Sequence, residues 1–362
     1  MRILHIIISK GWHAQVANAH LIMQHQAESG DIVDVCCMKN SKIHRKMQGS
    51  ANILKTFKHY YNPILVPILI RLLVKHSYNA IHLHGYNGKS RLGLSLKISE
   101  KNIPVICSSR DMPKEGILFR KFFWKHIHRI LVPNQLVKNG LEQSVGRKKS
   151  IKILEPQVNT DLLRPLPGKY NKILKIGMFA RFDAIKGYPI FFAACQKLLT
   201  MYPVNKIELV IAGANFKNHQ QEIQTLLKQF DLTHATQMIG YVPDIGVEIS
   251  KLDIGVIAST GSEELSRIAM EYMACGVPVV STDVGGLPEL ISDQEGTVVP
   301  AFSPEKLAQA ISDLVDNEPL RLAKGRQARQ KMEKVHAITV HCNNLKNIIS
   351  AVSKELIAAP PS

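Results

Sequence analysis

A chain of 362 residues has room for two domains of ordinary size. With 45% hydrophobic and 21% charged residues, it has the composition of a globular protein, not of a disordered or fibrous one. The net charge of +17 sits in one half: residues 1–165 hold 26 Lys and Arg against 9 Asp and Glu, whereas residues 166–362 hold 20 of each. The two halves therefore face different electrostatic partners, an anionic one for the first; a solvated basic surface is the plainer reading of the same excess.

Residues 1–9 are apolar but short, carry Arg2 and His5, and lack a small-residue cleavage site, so they read as a buried strand and not a signal peptide. Strands are predicted at 3–8 within this stretch and at 32–37, 80–83, 105–108, 130–133 and 151–154, with helices at 14–28, 89–101 and 135–144. The apolar run 64–74 is interrupted by Pro67 and Arg71 and is too short to span a bilayer. At 119–129 cations alternate with Phe122, Phe123 and Trp124, a mixture that suits an anionic membrane interface, a nucleic acid, or a half-buried helix with extended Lys and Arg stems. In the second half strands are predicted at 174–180, 207–212, 237–239, 254–258, 279–282 and 297–299, with helices at 188–201, 221–230, 266–275 and 304–316. Two series of short apolar strands alternating with helices predict an α/β protein with two doubly wound parallel sheets. The break at Arg164-Pro165-Leu166-Pro167-Gly168 places the boundary within 161–172. Six cysteines, none spaced as a metal knuckle or redox pair, read as small buried hydrophobes of a reducing cytoplasm.

Ligands of such sheets bind beyond the carboxyl ends of the strands, and four stretches there carry candidate chemistry. Arg181 and Lys186 follow a predicted strand; a guanidinium and an ammonium there can grip a diphosphate, although an exposed loop lysine is the plainer reading. Glu263 and Glu271 bracket the start of the helix predicted from 266. Their carboxylates can accept from sugar or ribose hydroxyls, and amides near Leu265 and Ser266 would offer an anion site; helix capping is the plainer reading. Gly11, after the first strand, permits close backbone approach to a ligand. His82 and His84 fall on one face of a strand, with His84 nearer the loop and the better acceptor-side candidate. No Asp-x-Asp, HExxH, P-loop or GxSxG pattern occurs, and no metal is expected.

Taken together, Glu263-x7-Glu271, the following Tyr272-Met273-Ala274-Cys275-Gly276-Val277-Pro278, the stretch Gly285-Gly286-Leu287-Pro288-Glu289, the pair Arg181 and Lys186, and Gly240 resemble the retaining glycosyltransferases of family 4, of GT-B architecture. The resemblance is strongest over 175–299. It implies two Rossmann-like domains facing across a cleft: 1–165 for the acceptor, 166–337 for the donor, and a helix in 338–362 returning to the first domain. It further implies catalytic Arg181, Lys186, Glu263 and His84, and a nucleotide sugar, UDP- or GDP-linked, held by Arg181, Lys186, Tyr241, Val242, Glu263, Leu265, Ser266 and Glu271, with Gly11 on the first-domain side. No further cofactor, no metal and no nucleic acid is implied. The acceptor would be a glycan or lipid-linked glycan, and the place of work the inner face of the cytoplasmic membrane, in lipopolysaccharide or other surface-polysaccharide synthesis. The chain departs from the family pattern in having a lone Gly11, Glu264-Leu265-Ser266 where Gly-Phe-Gly is frequent, and Ser109-Arg110-Asp111 in place of a cleft histidine. An epimerase or phosphorylase of the same architecture, or a basic nucleic-acid or anionic-surface binding module, are the alternatives.

Overall fold

The computed structural model describes the chain except residues 10, 12–13, 50, 58–64, 86–94, 96–101, 110–125, 146–149, 170, 204, 214–215, 241, 243, 262 and 359–362. The expected helix at 89–101 (Ser95 apart), the aromatic and basic stretch 119–125, Arg110, Asp111 and Tyr241 lie outside the described residues. The chain divides into two units, residues 1–157 with 338–362, and residues 158–337.

Unit 1 is built on a sheet of seven parallel strands: β1 Arg2–Ile7, β2 Ile32–Met38, β3 Asn52–Phe57, β4 Ala80–His84, β5 Val105–Ser108, β6 Arg129–Val132 and β7 Ile151–Ile153, in the order β3-β2-β1-β4-β5-β6-β7. Successive side chains leave opposite faces, and both faces are covered. Leu4, Ile6, Ile81, Leu83, Val105 and Cys107 pack under Leu69 and Leu73 of the helix Leu65–Lys75 and under Val137 and Leu141 of the helix Gln135–Val145. On the other face, Ile3, Ala80, Ile106 and Leu131 pack against Ile22 of the helix Ala14–Glu28 and against Ile338, Cys342, Leu345, Ile349 and Val352 of the helix Ile338–Ala358. Arg129 also pairs with Glu355, and Lys346 with Asp31 at 3.0 Å. Strand β3 was not expected. Among the described residues it is an edge strand paired with β2 alone, and it carries Asn52, Lys55 and Thr56, so its apolar signal is thin. Pro67 does not end a helix; it lies in the first turn of Leu65–Lys75, where a missing N–H costs nothing.

Unit 2 has six parallel strands: β8 Leu174–Phe179, β9 Ile207–Ala212, β10 Thr236–Gly240, β11 Ile254–Ile257, β12 Val279–Thr282 and β13 Gly296–Val299, in the order β10-β9-β8-β11-β12-β13. The helices Tyr188–Met201 and Pro304–Asp316 cover one face through Phe191, Phe192, Leu307 and Ile311; Ala269, Met270 and Met273 of the helix Arg267–Ala274 cover the other. The division falls at Gln157/Val158, before the 165/166 boundary expected from the proline-rich break. The reason is a set of backbone ties. Val158 N–H donates to His336 O at 2.8 Å. The Arg329 guanidinium donates to Thr160 O at 3.0 Å, Leu163 O at 2.5 Å and Ala274 O at 2.6 Å, which anchors 158–165 in unit 2.

Candidate functional site

In unit 2 the parallel strands present their carboxyl ends on one edge, and the loops leaving β8, β11 and β12 there carry most of the expected residues. After Phe179 the chain passes Arg181 and enters a single 3-10 turn, Ala184–Lys186, ended by Gly187 at φ 72°. A Cβ at Gly187 would run into the Ala258 carbonyl oxygen, so only glycine lets this loop lie on the end of β11. Thr260 N–H donates to Ile185 O at 2.8 Å and fixes the contact.

That placement brings Lys186 onto Glu263, with which it forms an ion pair. Lys186 is 17% exposed and Glu263 is buried. The same Glu263 carboxylate accepts from Ser259 Oγ at 2.8 Å. Its backbone carbonyl accepts from Gly286 N–H at 2.8 Å, and a Cβ on Gly285, whose φ is 63°, would collide with that carbonyl. Arg181 is 59% exposed and pairs with Asp183 at 2.8 Å. The two cations expected to act together thus each hold a carboxylate of this chain. Sequence reasoning missed Ser259 and Asp183. The signal for Ser259 was a hydroxyl directly after the apolar run of β11; Asp183 lay unexamined between the two cations.

The helix Arg267–Ala274 starts one residue later than expected, with Ser266 as its N-cap. Ser266 Oγ makes no capping bond, is buried and has no hydrogen-bond partner among the described residues. Leu265 is half-buried and packs against the core that holds Met270 and Met273. Glu271 is buried on the same helix, and its Oε1 accepts from Arg267 Nε at 2.7 Å. Burial pushes the Glu271 carboxyl above its ordinary value, and the half-exposed Arg267 opposes that shift without cancelling it. The next residue, Tyr272, is fully buried; its hydroxyl accepts from Phe179 N–H at 2.7 Å and donates to Gly177 O at 3.2 Å. Val242 is half-buried and packs against the same core, just beyond Gly240 at φ 75°.

In unit 1, Gly11 is exposed, and its carbonyl accepts from Ser9 Oγ at 3.4 Å. His82 and His84 do share a face, but His84 is buried rather than open to an acceptor: its Nε2 lies 3.0 Å from Nδ1 of His5. His5, opposite His82 on the neighbouring strand β1, was the missed member, although it is the lone polar residue in the run Ile3–Ile7. One ring nitrogen from each of His5, His82 and His84 lies within 4.8 Å of the other two, so the fold assembles a potential metal-ligand group that no sequence spacing displayed.

No helix among the described residues is long and apolar enough to cross a membrane. Residues 160–331 match the family described as Glycosyl transferases group 1. Over 42% of this chain and 38% of the relative, the sequence is 29% identical to D-inositol 3-phosphate glycosyltransferase of Corynebacterium jeikeium. It is 30% identical to the putative colanic acid biosynthesis glycosyltransferase WcaL of Escherichia coli over 56% of this chain and 52% of that one. The chain thus spans between about two fifths and half of the length of these curated relatives. The structure superposes on HepE of Anabaena, solved with UDP, at a TM-score of 0.82, covering 97% of this chain and all of that one at 15% identity, a likeness of fold. The two parallel α/β units are those of the GT-B fold.

Proposed function

Because residues 160–331 match the glycosyl transferases group 1 family, we propose that the chain is a retaining glycosyltransferase. In this reading it moves a sugar from a nucleotide-sugar donor, UDP- or GDP-linked, to a glycan or lipid-linked acceptor in bacterial surface-polysaccharide synthesis. The colanic acid relative and the UDP-bound fold neighbour support the substrate classes. The observation that carries the reading is the Lys186–Glu263–Ser259 network at the carboxyl edge of the unit 2 sheet, where a cation and a buried carboxylate stand side by side.

A donor diphosphate competes with Glu263 for Lys186 and with Asp183 for Arg181. Once engaged, both cations stabilise the negative charge that grows on the departing diphosphate, which is where a transferase gains rate. In this scheme they supply the charge neutralisation without calling on a metal. The Ser266 hydroxyl and the amides of Leu265 and Ser266 donate to phosphate oxygens at the helix start. Glu263, released from Lys186, accepts from a sugar hydroxyl, and Glu271 accepts from the ribose hydroxyls. The backbone of Val242 meets the base, and Gly11 belongs to the acceptor side. The basic excess of residues 1–165 suits an anionic inner-leaflet surface that presents the acceptor.

A thermal-shift panel of UDP-, GDP- and ADP-sugars tests the reading. The true donor raises Tm by native-state binding and, with acceptor, releases its nucleoside diphosphate. A folded wild-type chain that neither shifts with nor consumes any of these donors overturns it. Flotation with acidic and neutral liposomes tests the surface: binding to the acidic vesicles alone is expected, and failure with both removes the membrane from the proposal.

A further inference from the structure

We propose that His5, His82 and His84 form a site in unit 1 for a divalent transition-metal ion, with zinc the ion best matched to its ligands.

The placement follows from sheet topology. Strands β1 and β4 are parallel neighbours with His5 opposite His82, and His84, two residues on, leaves the same face of β4. The three rings cluster, with centroid separations of 4.0 Å between His82 and His84, 5.3 Å between His5 and His84, and 5.4 Å between His5 and His82. His5 Nδ1 and His84 Nε2 are 3.0 Å apart. Imidazole nitrogens bound about 2.0–2.1 Å from a tetrahedral zinc sit about 3.3 Å from one another, so small ring rotations convert the cluster into a coordination set.

The chemistry agrees. Burial lowers the proton affinity of all three rings, that of His5 to about 4, so lone pairs are available near neutral pH. Neutral imidazole suits zinc, copper and nickel rather than magnesium or calcium, which prefer oxygen. The polar accounting of the cluster is incomplete: among the described residues, His82 Nδ1 is buried with no hydrogen-bond partner, and His5 Nε2 is buried with no close one. Such orphans in a sheet core call for a water or an ion. Supporting groups are in place as well. Ser108 Oγ lies 2.7 Å from His82 Nε2 and would orient that ring, while Gln26, fully buried, stands beside His5 as its hydrogen-bonding neighbour. Asp31 and Asp34 act on His5 with negative charge that offsets part of the ion's. His341, buried on the helix that covers this face, acts electrostatically on His82 and His84, and its Nδ1 lies 2.7 Å from Glu155 O.

The proposal does not depend on the reading of unit 2. The test uses the untagged 362-residue chain, stripped with a chelator, gel-filtered and titrated with zinc and, separately, cobalt(II). The expected result is about one zinc retained per chain by elemental analysis, a rise in Tm on zinc addition, and visible cobalt d–d bands. His84→Gln and His5→Gln should each weaken binding by roughly tenfold or more, as loss of a ligand or its orientation does, while Ser108→Ala retains the bands with reduced affinity. A folded wild-type chain with no bound zinc, no Tm change and no cobalt bands overturns the proposal and leaves a dry histidine core. Binding that survives unchanged in His84→Gln also overturns it, since surface histidines then hold the metal. If the variants fail to fold, the wild-type cobalt spectrum and stoichiometry decide alone.

Discussion

The hydroxyl of Tyr272 sits 2.7 Å from the backbone nitrogen of Phe179, the last residue of β8, and ties the helix that carries Glu271 to the strand that delivers Arg181. Both residues are buried, and the same hydroxyl reaches Gly177 O. One phenol therefore sets the relative placement of two parts of the candidate donor site.

Tyr272→Phe keeps the ring but orphans a buried amide and carbonyl. Urea unfolding should show a loss of about 1–3 kcal/mol. Affinity for the donor should fall as well, because the helix start and the β8 loop lose their common anchor. Unchanged stability would mean that these backbone groups find other partners.

Glu271→Gln separates stability from binding. A buried carboxyl held above its ordinary value binds its proton more tightly in the native than in the unfolded chain, so its ionisation costs stability as pH rises through its native value. The neutral amide escapes that cost, and the half-exposed Arg267 it leaves behind stays hydrated. The variant should be more stable than wild type by about 1 kcal/mol near neutral pH, with the gap closing as pH falls into the unfolded carboxylate range. Calorimetry should show weaker donor binding. Equal pH dependence in the two proteins would remove the ionised buried carboxylate from the account.

Arg181 and Lys186 should separate cleanly. Arg181→Ala removes an exposed side chain and should change stability by no more than about 0.5 kcal/mol, while donor turnover falls by roughly a hundredfold. Lys186→Met leaves the Glu263 carboxylate buried with Ser259 as its remaining side-chain donor among the described residues, and should destabilise the fold by about 3 kcal/mol. Adding Glu263→Gln should recover much of that loss without restoring turnover. Near-normal transfer by Arg181→Ala would sink its phosphate role.

Gly187→Ala adds a side chain at φ 72° and against the Ala258 carbonyl, and should cost more than about 2 kcal/mol. Gly30→Ala supplies the comparison: its φ of 84° is equally unfavourable, but open space surrounds it, so about 1–2 kcal/mol of backbone strain is expected. Thermal melts of the two variants give the difference, which measures the loop contact itself.

Much of this organisation was legible in the chain. Parallel strands such as β9 and β12 keep the bounds expected of them, because both of their faces are covered and the apolar stretches 209–212 and 279–280 mark them without strict polar alternation. The edge strand β3, half polar and paired once, was not legible. The Lys186–Glu263 pair was foreseen as two ligand-facing groups and found as partners, since residues so far apart in sequence meet only through the β8–β11 adjacency and the Gly187 turn. The His5 cluster was hidden for a similar reason. Spacing shows His82 and His84, but the third histidine joins them only because the sheet places β4 beside β1 rather than beside β3.

Unit 1 is assembled from two separated stretches of chain, with Cys342, Leu345, Ile349 and Val352 closing over Ile3, Ile106 and Leu131. During synthesis on a ribosome, the amino-terminal sheet must wait with much of that face uncovered while the whole of unit 2 emerges. Unit 2, continuous in sequence, is complete before its neighbour can close. A stop codon a few turns before the end would thus spare the carboxyl-terminal sheet and strand the first one as a sticky half-shell, so proteolysis and chaperone capture of such a product should map to the amino-terminal half.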